Sequence, residues 1–239
     1  MATPSTAPAP QRALAVVAHP DDVDFGAAGT VAGWTAAGTA VTYCICTSGQ
    51  AGAPADADRT RVAELRRAEQ RAAAAAVGVS DVRFLDHEDG RVVADLQLRR
   101  DITEVIRTVR PEVVLTHSPE INWSHIAISH PDHRAVGEAT LAAVYPDARN
   151  EFAHPELSGL APWTVRALWL SESTEERINR AVDVTGHFDA KLAALAAHRS
   201  QVERFDDLRE TIRHHLERNA AEHGMPGELA EVFQVVDTS

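Results

Sequence analysis

Short apolar runs alternate along this chain with longer stretches of helical periodicity. The runs at residues 14–17, 40–46, 82–85 and 113–116 are rich in Val, Ile, Leu and other apolar residues, and each is short enough for a buried strand. Between them, residues 22 to about 37, 60–77 and 95–109 read as helices. The second is rich in Ala, Arg and Glu and stops at Gly78, and the third stops at Arg110-Pro111. A fourth helix carries Val136, Ala139, Ala143 and Val144. Weaker strands follow at 167–170 and 181–184, then amphipathic helices at 188 to about 202 and at 208–221, and a last edge strand at 231–236. Strand alternating with helix means βαβ units, and so an α/β fold: a mostly parallel sheet with helices on both faces. In the common strand order 3-2-1-4-5, the first and fourth strands are neighbours where the order reverses, and that crevice is where open α/β sheets bind ligands.

The chain has 239 residues, enough for one sizeable core but cramped for two. We therefore expect a single domain over 12–239 behind a Pro/Ala/Ser/Thr-rich tail at 1–11, read as disordered. A net charge of -12 disfavours nucleic acid and anionic membrane as partners. Cys44 and Cys46 lie in an apolar strand and read as buried free thiols of a reducing compartment. The N-terminus lacks a positively charged start, and signal cleavage after Ala18 would remove the first strand. No apolar stretch approaches the ~20 residues of a membrane span. A cytoplasmic protein is expected, and homo-oligomerisation stays open.

Two turns carry the chemistry. Ala18-His19-Pro20-Asp21-Asp22 follows the first strand, and His130-Pro131-Asp132-His133 follows the fourth. Proline cannot donate to a sheet ladder and pushes the preceding residue out of the helical region, so each strand must end there. Either Asp21 or Asp22 can cap the first helix, and Asp132 the fourth. A catalytic zinc takes three protein ligands and leaves one position for water. His19, one of the two aspartates and one histidine of the second turn would supply such a set. The other aspartate would face the water as general base. The spare histidine would stabilise an oxyanion or protonate a leaving amine, with Asp132 orienting it. Gly26, Gly29 and Gly33 read as close packing of the first helix, because a dinucleotide fingerprint needs its first glycine where this chain has His-Pro-Asp-Asp. Trp123 is a candidate platform for stacking on a sugar. There is no Gly-x-Ser-x-Gly elbow for a serine hydrolase.

At these residues the sequence resembles the LmbE-like, or PIG-L, N-acetylglucosamine deacetylases. Besides the two turns, Thr47-Ser48-Gly49-Gln50-Ala51-Gly52 is similar to that family's Thr-x-Gly-Glu-x-Gly turn. Arg66-x-x-Glu69 is similar to its Arg-x-x-Glu helix, and Lys191, His198 and Gln201 to its Lys…His…Gln helix. The resemblance implies a Rossmann-like fold and a divalent metal, usually zinc, on His19, Asp22 and His133. It also implies Asp21 as general base, His130 at the oxyanion and Arg66 as a substrate contact. The implied reaction removes an N-acetyl group from an amino sugar or small glycoconjugate. The chain departs from the pattern at Val23, where the family has Glu; Asp24 follows one residue later, turned by about 100° on a helix. Two rivals remain: a non-catalytic nucleotide- or sugar-binding module, and a family amidase acting on a thiol conjugate.

Overall fold

The computed structural model describes residues 3–4, 8–225 and 227–239. Strands β1 (Thr3–Pro4), β2 (Arg12–Val17), β3 (Ala40–Ile45), β4 (Asp81–Phe84), β5 (Val113–His117), β6 (Ala167–Ser171), β7 (Arg180–Asp183) and β8 (Ala230–Asp237) form one sheet. Its order is β1-β7-β8-β6-β5-β2-β3-β4. The expected reversal is present: β4, β3, β2, β5 and β6 are parallel neighbours, with β2 and β5 side by side at the switch.

The helices are α1 (Asp22–Ala36), α2 (Arg59–Ala76), α3 (Leu96–Val109), α4 (Pro131–Val144), α5 (Phe188–Ala197), α6 (Arg199–Val202) and α7 (Leu208–Glu222). Two cores lie on opposite faces of the sheet. Ala13, Ala15 and Val17 of β2 pack with α1, the end of α2 and α5. Leu14 and Val16 pack with Leu98, Ile102 and Ile106 of α3 and Val136 and Ala139 of α4. Burial on both faces explains why β2 is apolar throughout instead of alternating. Gly29 shows how closely α1 packs: a Cβ there would lie 2.7 Å from the Val184 Cβ.

Two elements differ from expectation. The strand at 231–236 is β8, which lies inside the sheet, antiparallel to both β6 and β7. Phe233 holds it there, fully buried with its ring 5.3 Å from Trp169. The helix expected at 188–202 breaks at His198 into α5 and α6. The break follows from a buried contact of that imidazole with Asp24, described below.

Of the tail expected to be disordered, residues 1–2 and 5–7 lie outside the described residues. Thr3–Pro4 pairs in parallel with β7, and Pro10 accepts a hydrogen bond from Thr39. Cys44 and Cys46 are free and buried, and burial pushes the Cys44 thiol up to about 12. Among the described residues, no helix is long and apolar enough to cross a membrane.

Candidate metal centre and active site

β2 and β5 run in register from Ala13↔Val113 to Val16↔Thr116, so their following turns leave the sheet side by side. The first turn is held by its own backbone contacts. Ala18 O accepts from Thr47 N at 2.9 Å, and Ala18 N donates to His117 Nε2 at 3.2 Å. The second turn is placed by α4. His130, not Asp132, caps that helix, its Nδ1 accepting from Asp132 N at 3.2 Å. Gly137 lets α4 sit directly on the end of β5, because a Cβ there would lie 2.4 Å from His117 O. His133 is thereby stacked on His117, with ring centroids 4.0 Å apart.

Three donor groups converge. His19 Nδ1 lies 3.2 Å from His133 Nε2 and 3.5 Å from Asp22 Oδ2, and His133 Nε2 lies 3.3 Å from Asp22 Oδ1. Donors about 2.0–2.1 Å from a tetrahedral ion lie roughly 3.3 Å from one another, so this spacing fits a small divalent cation.

The outward nitrogen of each imidazole meets carboxylate. His19 Nε2 is 3.0 Å from Asp89 Oδ1 and 3.4 Å from Asp132 Oδ2. His133 Nδ1 is 3.1 Å from Glu172 Oε2. Carboxylates there favour protonation of the outward nitrogens, which would leave the inward lone pairs to a bound metal.

Other candidate groupings share these residues: His19, His130 and His133; Asp22, His117 and His133; His19, Asp89 and Asp132. His117 is the weaker ligand, since Ala18 N already donates to its Nε2 and its Nδ1 lies 2.9 Å from Glu172. Without a cation, the carboxylates favour protonation of the His19 and His133 imidazoles. Burial alone would lower both imidazoles. The Asp22 charge, together with the hydrogen bonds that His19 makes to Asp132, Asp22 and Asp89, instead raises His19 to about 12. Asp22 and Glu172 raise His133 to about 10. Burial would likewise raise Glu172, but His117 and His133 hold it at about 2.

Asp21 occupies the N-cap position of α1 without capping it. Its φ is 92°, in the left-handed region, and its side chain accepts from no α1 amide. Instead its Oδ2 accepts from Arg66 at 3.1 Å, and its N–H donates to Gln70 Oε1 at 2.9 Å. Burial and the neighbouring Asp22 push this carboxyl up to about 6, against the Arg66 charge. The left-handed strain is a marker of functional turns.

The remaining expected residues fall in different places. Arg66 is buried, with its terminal nitrogens on Gly49 O, Pro20 O and Asp21; they face protein, not an open pocket. Gly49 is obligatory beside it, since a Cβ there would lie 2.0 Å from Arg66 Nη1. Asp132 accepts from Gly90 N and Val92 N and faces His19, so its carboxylate does not orient His130. His130 lies at the rim of the cluster, its ring 5.1 Å from that of His19, and partial desolvation together with the His19 charge lowers its pKa. Trp123 is 80 % exposed, on the loop that precedes α4.

Asp24 answers the departure at Val23. Val23 is in the core, while Asp24 is fully buried and accepts from Gln70 Nε2 at 2.8 Å. Its Oδ2 also lies 2.8 Å from His198 Nε2. Gln70 thus joins Asp24 to the backbone of Asp21. Lys191 donates to Asp24 O, Phe25 O and Glu231, locking the start of α1. Gln201 instead donates to Ser200.

Sequence reasoning missed His117, Glu172 and the buried role of Asp89. The available signal was position: His117 ends β5, and Glu172 follows β6, the strand beside it.

A doubly covered α/β sheet with a His/carboxylate donor set at its switch point defines the class: a Rossmann-like protein with a candidate metal centre. The family model for GlcNAc-PI de-N-acetylases (PIG-L) matches residues 14–144, and the chain belongs to that family. It is 34% identical over 196 residues to a probable N-acetyl-alpha-D-glucosaminyl L-malate deacetylase 2 of Bacillus cereus, covering 80% of this chain and 83% of that one. It is 30% identical over 257 residues to a 1D-myo-inositol 2-acetamido-2-deoxy-alpha-D-glucopyranoside deacetylase of Kineococcus radiotolerans, covering 81% and 69%. Among solved structures, the N,N'-diacetylchitobiose deacetylase of Pyrococcus horikoshii superposes with a TM-score of 0.81 at 26% identity, over 95% of this chain and 84% of that one.

Proposed function

We propose that this chain is a metal-dependent amide hydrolase that removes an N-acetyl group from an amino sugar or small glycoconjugate, releasing acetate and a free amine. The observation that carries it is the donor set of His19, Asp22 and His133, spaced for one divalent cation, with Asp21 beside it. The deacetylase names of its relatives support the same reading, and zinc suits two imidazoles and a carboxylate. A bound divalent cation supplies Lewis acidity at the amide carbonyl and lowers the pKa of a water to about 7.

The chain's own residues do the rest. Asp21, half-buried and held by Arg66 and Gln70, accepts the proton of the attacking water. His130, neutral at its lowered pKa and with Nδ1 accepting from Asp132 N, donates its Nε2–H to the developing oxyanion, and the proton that Asp21 took from water passes to the nitrogen as the C–N bond breaks. Asp89, Asp132 and Glu172 fix the two ligand imidazoles. Trp123 offers an indole face to a sugar ring of the substrate. Arg66 acts through Asp21 instead of touching the substrate. The buried thiols and the acidic net charge of -12 agree with a cytoplasmic enzyme acting on a small molecule.

Acetate release from N-acetylglucosamine derivatives by metal-quantified protein, with and without chelator, tests the reading. Release should require metal and should be lost in Asp21→Ala with the metal retained. Undiminished release from the metal-free protein would contradict it.

A further inference from the structure

A cleft of about 710 Å³ opens beside the cluster, and Glu172 is where the two meet. This residue lines the cleft while its Oε2 lies 3.1 Å from His133 Nδ1. The turn that carries Glu172 is left-handed, with φ 62°. One wall is the loop bearing Trp123, and the facing wall is α7, through Arg218, Asn219 and Glu222. Glu175 and Glu176 complete the rim. A pocket this size takes ligands larger than one sugar ring.

We propose that this cleft seats the aglycone of the amino sugar and selects a neutral, polyhydroxylated group over an anionic one. The inference rests on the deacetylase reading above and adds which substrates the site prefers.

Charge decides the preference. Among the described lining residues, Arg218 is the one Lys or Arg, against the exposed carboxylates of Glu175, Glu176 and Glu222. Two further carboxylates of the lining are spent inside the protein: Glu231 on Lys191 at 2.7 Å, and Glu172 on His117 and His133. His215, also on α7, adds no balancing charge, because burial and the neighbouring Arg218 push it down to about 4. An anionic aglycone would therefore enter an unbalanced field of its own sign. Hydroxyls suit the same rim, since each donates to a carboxylate in a charge-assisted hydrogen bond. The exposed indole of Trp123 offers an apolar face that a sugar ring presents and a short diacid does not.

The test compares kcat/KM of the zinc-loaded protein for N-acetylglucosamine, N,N'-diacetylchitobiose and the L-malate glycoside of N-acetylglucosamine. The disaccharide should exceed the monosaccharide by roughly tenfold or more, and the malate glycoside should fall well below the disaccharide. Trp123→Ala should shrink the disaccharide-to-monosaccharide ratio. The triple variant Glu175→Gln, Glu176→Gln, Glu222→Gln should raise the malate-to-disaccharide ratio by about fivefold or more. A malate glycoside cleaved as well as the disaccharide by the unaltered protein would overturn the proposal, as would a triple variant with an unchanged ratio. Acetate release from none of the three would instead overturn the deacetylase reading beneath it.

Discussion

Asp21 is the residue on which the proposed chemistry turns. Its carboxyl sits at about 6, raised by burial and by Asp22, and as the proposed general base it must be ionised to act. Activity should therefore rise with pH through an acid limb at or below about 6, since a bound cation can only favour the ionised form. Asp21→Asn should lower kcat by about 10²–10⁴-fold and leave the metal content unchanged. Glu172 is a different case. Glu172→Gln removes the charge that holds the His133 tautomer, so metal affinity should fall about 10–100-fold by competition with a chelator. At this scale the two Pro-anchored turns were legible, because six ionisable groups in two short stretches stand out from any background. His117, Glu172 and Asp89 were not. Each is a single residue with no motif round it, and only strand pairing brings it to the site.

Among elements, the seating of α4 on β5 matters most, because it carries His133 across to His19. Gly137 is the contact. Gly137→Ala would drive a methyl into His117 O, and the backbone there has no rotamer by which to give way. That overpacking should cost about 1–3 kcal/mol in denaturant unfolding and weaken metal binding at the same time. A substitution that left both measurements unchanged would show that α4 has slack at this point. The strand and helix pattern was readable nearly end to end, since both faces of the sheet are covered and the apolar runs are unbroken. Two features were hidden. β8 looked like an edge because its sequence alternates only weakly, yet Phe233 anchors it inside the sheet. His198 ends α5 through a tertiary contact with Asp24 that no local propensity encodes.

At the scale of the whole molecule, the proposed metal centre would couple folding to a cation. In the metal-free chain His19 and His133 hold protons up to about 12 and about 10, against an ordinary imidazole value of 6.5. A folded-state pKa above the unfolded one gives stability that is fully present below 6.5 and is lost as pH rises toward the folded value. The Tm of metal-free protein should therefore fall steadily between about pH 6.5 and 10. Metal-loaded protein should lose this dependence, because the cation has already displaced those protons. A Tm that rises with pH over this window in the metal-free protein would reverse the assigned sign.

The most direct measurement is a zinc titration of chelator-stripped protein, following acetate release from N,N'-diacetylchitobiose. Release should climb from near zero and level off at about one equivalent of zinc per chain, with no climb in His133→Ala at the same additions. Full release before any zinc is added, or an undiminished climb in His133→Ala, would contradict a reaction centred on His19, Asp22 and His133.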